Sequence, residues 1–583
     1  MAIATAPAAP ATAARPRQNW ILDPAQDALF IIAAPLLMVA VAVAALRAGV
    51  TGDTLFGIFV VFNVAHHLPT FLRIYGDVDL FRRFRWSFVL GPLVPFAFCL
   101  GVLGYLKAAG QPIERFFYLF IILTIWDPWH FLMQHYGFMR IYDRPNQAPR
   151  ALSARMDLAL CATWFAAIML AAANWLPEIL YNLYCDSRIP AVFAVAALGL
   201  RPLEYAAWGM AGAASVAYAI YLVWCLRRGY FVSMAKLALF AVTFGMMALA
   251  YTPNRWIEAA APDWSFKVGF AALGMVHVSQ YLAIVWKYNR GLAGRPGRAR
   301  PGWFRSAHAR GGLIVAAIYV ALCLAYGLGL GYPRELARRI DAGGWLMPVL
   351  LAAGFTSTLM HYYFDGFIWK IRHQQNREGL ALADAGPAAV KEAPAASWWD
   401  RAREPGALGT LARHGLYFAL PMGLLTLGAW ATWRDPAGDP VALKNRVEGL
   451  ARAGRIDDGL HAARQAIVAI DRQVAVERAI LRVRPTANHY AALGYLLYDR
   501  ASFAQALAEA EGQRPESARL AAYRAQVAEA AEALERAAEA PGAIDCRFRR
   551  DLTRPMARAT AARWRSVAVG ATATAPAVAG PTG

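Results

Sequence analysis

His66, His67, His130, His135, His277, His361 and Asp365 fall inside the apolar stretches of this chain. A bilayer core makes such groups expensive, so their presence in spanning segments points first to a functional site. Imidazole and carboxylate together suit iron, zinc or copper. His361 and Asp365 are four residues apart and share a helix face. The carboxylate can therefore ligate beside the imidazole or orient one. His130 and His135 are turned about 140° from each other on a regular helix. They meet at one site only if Pro128, in Trp126-Asp127-Pro128-Trp129, reshapes that helix. Adjacent His66 and His67 diverge by about 100°. Asp127, beside Pro128, and Gln280, three residues after His277, are the candidate supports for the ligands.

The histidines share a depth. Counting back from Arg140, Lys287 and Lys370, which mark inner boundaries, His130, His277 and His361 lie roughly 14–15 Å from the inner edge. His67, His135 and Asp365 lie roughly 8–9 Å deep. The local text is similar in pairs: HHLPTFLRIYGD at 66–77 against QHYGFMRIYDR at 134–144, and HVSQYLAIVWKYNR at 277–290 against HYYFDGFIWKIR at 361–372. Four helices that each carry such residues are expected to pack around a polar cavity open toward the cytoplasm, because convergence shares the desolvation cost.

The elements that must position these residues are membrane helices. The chain has 583 residues, 58% apolar and 17% charged, with the apolar residues in helix-sized blocks, which is a membrane composition. Only a helix or a closed barrel satisfies its own backbone in lipid. The predicted fold is all-α: a polytopic transmembrane helix bundle of about eleven spans over 27–433, followed by a soluble helical domain over 440–540. The spans are predicted at 27–48, 54–74, 86–107, 113–138, 156–176, 205–226, 234–252, 266–288, 311–331, 345–369 and 413–433, while 190–200 is too short to cross. Residues 1–26 read as a disordered cytoplasmic tail without a cleaved signal, and 566–583 as a disordered tail.

Basic residues fill the loops after every even span, from Arg82-Arg83-Phe84-Arg85 onward, which places those loops and the N-terminus in the cytoplasm. An odd number of spans then puts everything after Trp433 outside. In a bacterial inner membrane that is the periplasm. The net charge of +20 is carried by these flanking loops, where topology and anionic lipid account for it, and nucleic acid is not an expected partner. The six cysteines contain no CxxC pair. A Cys185–Cys546 disulfide would lie outside the membrane.

Two resemblances follow. In the C-terminal part, Tyr490, Gly494 and Ala506, with turns read at Gly454–Gly459 and Ala501–Ala506, resemble tetratricopeptide hairpins spaced about 47 rather than about 34 residues apart. That resemblance implies a surface for a protein partner. In the membrane part, His130-x4-His135 and His66-His67 resemble the membrane di-iron oxygenases of the desaturase and hydroxylase group and, more distantly, bacterial carotene-cleaving membrane enzymes. The resemblance implies metal at His66, His67, His130, His135 and His361, although His-x-x-His-His boxes are absent. HExxH, a nucleophile elbow and a phosphate-binding Gly loop are also absent.

The expectation is therefore a metal-dependent oxidoreductase, with iron as the expected metal, acting on a lipid or other apolar substrate. Three other classes compete with it. One is a haem b electron carrier with axial histidines such as His67 and His277. The others are a transporter with a His/Asp relay and a membrane scaffold that works through its C-terminal helices.

Overall fold

The computed structural model describes residues 18–111, 115–116, 118–172, 175–193, 200–252, 254–293, 313–332, 344–368, 407–434, 438–512, 517–540, 544, 546–549 and 551–570. Among them every regular element is a helix. The first group is α1 (Ala34–Arg47), α2 (Gly52–Ala65), α3 (His67–Gly76), α4 (Arg85–Ala108), α5 (Tyr118–Tyr142), α6 (Arg150–Ala171) and α7 (Trp175–Ser187). Then come α8 (Leu200–Arg227), α9 (Met234–Tyr251), α10 (Phe266–Ala293), α11 (Leu313–Gly331), α12 (Leu346–Ile368), α13 (Ala407–Tyr417) and α14 (Ala419–Arg434). The C-terminal group is α15 (Pro440–Arg452), α16 (Ile456–Val483), α17 (Ala487–Ala510), α18 (Ser517–Glu539) and α19 (Arg554–Ala568).

Among the described residues, seven helices are long and apolar enough to cross a membrane, or nine if each of two bent pairs is one span. The bent pairs are Pro24–Ile32 with α1, at 51°, and Leu408–Tyr417 with α14, at 60°. The spans expected at 113–138 and 345–369 correspond to α5 and α12, of 25 and 23 residues. Polar residues dilute their apolar character. These are the helices that carry His130, His135, His361 and Asp365.

Small residues set the close approaches. A Cβ on Gly274 would enter the Phe59 ring, so its absence lets α10 lie against α2. Gly327 likewise brings α11 onto the Val61 carbonyl and the Ala65 side chain. Around these contacts α12 packs on α3, α4, α5 and α2, and α10 packs on α1 and α2. The four site-bearing segments thus share one interior.

At the N-terminal end the structure departs from the expected tail. Residues 1–17 lie outside the described residues, but Ile21 and Leu22 donate their amides to the buried Asp27 carboxylate at 2.7 and 2.8 Å. That anchor precedes a π-helical turn over Asp27–Ile32.

The helices α16 to α19 share an Ala-rich core. Gly494 faces the Ala530 carbonyl, 3.0 Å from where a Cβ would stand, so α17 and α18 touch nearly backbone to backbone. The turn at Gly454 forms with φ +71°. The turn read at Ala501–Ala506 does not: those residues lie inside α17. The helix α19 also extends into the segment expected to be a disordered tail, whose residues 571–583 lie outside the described residues. Residues 194–199 of the short apolar segment also lie outside them.

These C-terminal helices meet α7 and the residue that follows it. Tyr181 donates to Glu477 at 2.5 Å, and Arg188 bonds Gln473 at 3.0 Å and Asp439 at 2.6 Å. Cys185 and Cys546 are buried thiols, not a disulfide.

Candidate metal centre

The site starts with an irregular helix. Pro69 has no N–H to give to the Ala65 carbonyl and its ring crowds that group. The helix is irregular for one residue at His66, with ψ near −9°, between α2 and α3, which together make one 25-residue span. The two imidazoles lie with ring centroids 4.6 Å apart.

His66 Nε2 stands 3.1 Å from His361 Nε2 and 3.2 Å from His277 Nε2. All three residues are buried. An imidazole nitrogen offers either one N–H or one lone pair, so three that converge on each other cannot satisfy one another. Two nitrogens bound at 2.0–2.1 Å to one tetrahedral or octahedral ion stand about 2.9–3.4 Å apart. The observed separations lie in that range.

A second grouping shares His361. His130 Nε2 is 3.5 Å and His361 Nε2 3.9 Å from Asp365 Oδ2, beyond good hydrogen-bond length but close enough for donors around an ion. In each group the donor atoms lie within 4.8 Å of one another. Since His361 Nε2 has a single lone pair to give, one ion between the two groups is the simplest occupant. His66 Nδ1, His277 Nδ1 and His130 Nε2 are buried without hydrogen-bond partners, which a site completed by an ion explains for His130.

A ring of hydroxyls holds the ligands. Thr70 Oγ1 is 3.1 Å from His361 Nδ1; an N–H there leaves the Nε2 lone pair directed inward. Thr70 also hydrogen-bonds the Tyr281 hydroxyl, and Tyr281 donates to Asp365 Oδ1 at 3.2 Å. The chain from His361 to Asp365 thus closes through two other helices. His67 stacks on His361 at 4.7 Å, with its Nδ1 3.1 Å from Ser357 Oγ.

The remaining sequence candidates are placed as follows. Asp127 accepts from Tyr362 at 3.2 Å, and the Tyr362 ring lies 4.9 Å from that of His130. Gln280 donates to the Ile31 carbonyl at 2.8 Å and accepts from Gln134 at 3.1 Å. His135 stands outside both groupings, with Nδ1 3.0 Å from the Phe131 carbonyl and its ring between Phe131 and Phe138. Because α5 continues through Pro128, the angular offset from His130 is not removed. Depth alone does not sort the residues: Asp365 joins a grouping, while His67, which stacks on His361, stands outside both groupings as His135 does. The cluster packs ring on ring, and a groove lies beside it between α4, α11 and α12.

Thr70, Tyr281, Ser357 and Tyr362 were not singled out from sequence. Three of them carry a usable signal, since Thr70 is four residues after His66, Tyr281 four after His277, and Ser357 four before His361. Each shares a face with its histidine.

A separate buried network ties the end of α5 to its neighbours. Arg140 bonds Asp143 at 2.9 Å and Asp157 at 2.5 Å, and Lys236 bonds the same carboxylates at 2.7 and 3.2 Å. Tyr218 adds a hydrogen bond to Asp157 at 2.7 Å.

The chain matches no family model, no curated protein and no solved structure.

Proposed function

We propose that this chain is an integral membrane oxidoreductase that holds one transition-metal ion, iron in our reading, on His66, His277 and His361. Asp365 and His130 flank the ion's open side, and the substrate is an apolar molecule of the bilayer. The approach of His361 Nε2 and His277 Nε2 to His66 Nε2, at 3.1 and 3.2 Å, carries the reading. In the same proposal α5 and α12 cross the membrane with the nine other spans, giving eleven.

The ion would supply one-electron chemistry. Thr70 sets the His361 tautomer, and the Tyr281 hydroxyl restrains the Asp365 carboxylate so that its other oxygen faces His130. That oxygen can hold a proton next to the open side. A site buried among apolar helices suits oxidation or reduction of an apolar molecule better than hydrolysis, which needs a supply of water. Ring contacts of 4.5–5.1 Å among His66, His130, His277 and His361 leave no slot for a macrocycle, which favours a bare ion over haem b.

Metal analysis of the full chain purified from iron-replete cells tests this. About one ion per chain is expected, lost in His361→Ala. Folded wild-type protein without metal overturns the reading.

A further inference from the structure

A groove of about 700 Å³ runs along the flank of α12, between α4 and α11. That volume is in the range of small-molecule sites. Its sides are apolar: Phe71, Val89, Leu93, Phe96, Leu330 and Leu350 among others, with no charged residue in the lining. Val89 and Leu93 are 47% and 54% exposed on a helix apolar enough to span a membrane, so the mouth faces the lipid.

The polar end is built. Thr356 lines the groove, is 6% exposed, and its Oγ1 has no hydrogen-bond partner. A buried hydroxyl left in that state costs free energy that a ligand's polar group would recover. Next to it Ser357 Oγ accepts from Tyr326 at 2.7 Å and lies 3.1 Å from His67 Nδ1. His67 in turn stacks on His361. The groove therefore leads from lipid to hydroxyls one ring away from the metal ligands.

We infer that this groove binds a long-chain apolar molecule bearing one neutral polar end, a hydroxyl or carbonyl, with that end against Thr356 and Ser357. The uncharged lining argues against a carboxylate or phosphate end, which would be left without a cation. The inference deepens the function proposed above and rests on it for the chemistry, not for the binding.

The test uses full-length protein in lipid nanodiscs with two photoreactive probes, diazirine-bearing hexadecanol and diazirine-bearing hexadecanoic acid. The alcohol should label 85–96 and 350–360 in preference to the lipid-facing α8, saturably. Ala353→Trp, or Ala325→Phe from the opposite wall, should cut that labelling about tenfold. Thr356→Val should weaken the apparent affinity several-fold while leaving the fold intact. Equal labelling of α8, which marks bulk lipid only, overturns the inference, as does equal labelling by the acid or indifference to both wall variants. Metal content of the same samples reads the other proposal separately. Full metal without groove labelling overturns the groove alone, and groove labelling in metal-free wild-type protein overturns the metal centre alone.

Discussion

Replacing Thr70 by Val asks whether the hydroxyl ring positions the metal ligands. The substitution keeps the shape and replaces one hydroxyl by a methyl group, losing the Oγ1 that stands 3.1 Å from His361 Nδ1 and bonds Tyr281. Two buried hydrogen bonds are lost, at about 0.5–1.5 kcal/mol each for stability. The effect on metal should be larger in proportion, because a partner that fixes a ligating imidazole is worth about 10–100-fold in affinity, or about 1.4–2.7 kcal/mol. Equilibrium competition against a chromophoric chelator measures that factor, and the visible spectrum of the cobalt-substituted protein reports ligand geometry. Thr70→Ser, which retains the hydroxyl, should bind within a few-fold of wild type. A Val variant that binds within twofold of wild type with an unchanged cobalt spectrum would refute the claim that Thr70 orients His361.

Three further outcomes are expected. His135→Ala should retain full metal, since His135 contacts Phe131 and Phe138 rather than the cluster; loss of metal with an unchanged melting temperature would contradict its placement. Gly327→Ala should lower thermal stability by about 1–3 kcal/mol through overpacking, because the new methyl meets the Val61 carbonyl and Ala65 beside the helix irregularity, and an unaltered melting curve would count against this packing. Lys236→Met should destabilise by about 3–5 kcal/mol by leaving Asp143 and Asp157 to Arg140 alone within the network. Adding Asp157→Leu should recover part of that loss, and chemical denaturation in detergent reads both.

The membrane helices and the histidine cluster were legible for the same physical reason: lipid penalises polar groups, so apolar blocks and their polar exceptions stand out. The irregularity at His66 was not, because it depends on Pro69 acting back on Ala65, and adjacent histidines on an assumed regular helix diverge. Thr70 and Tyr281 were hidden by being common residues, although their four-residue offsets were readable. The network of Arg140, Asp143 and Asp157 is completed by Lys236, about eighty residues further along the chain, and no local pattern announces that meeting. In the C-terminal part, Gly454 marked a true turn because it can adopt φ +71°. Ala501–Ala506 contains no Gly or Pro to stop a helix, and α17 continues through it.

Two buried polar clusters lie along α5, and the difference between them separates support from chemistry. Around Arg140 two cations meet two carboxylates, the formal charges cancel, and Ser153, Asn146 and Tyr218 take up further lone pairs. Such a network is complete without a ligand, and its natural role is to fix α5 against α6 and α9. Around His130 the accounting does not close. Four imidazoles crowd their nitrogens toward one region with a single carboxylate beside them, and three of their nitrogens have no hydrogen-bond partner. Each intramembrane ionisable residue costs about 2.5–3.5 kcal/mol at mid-depth on insertion scales, and the first network offsets this by internal pairing. The second pairs fewer of its own atoms, and an ion on the converging Nε2 atoms, as proposed above, would engage His130 Nε2 while leaving His66 Nδ1 and His277 Nδ1 as they are.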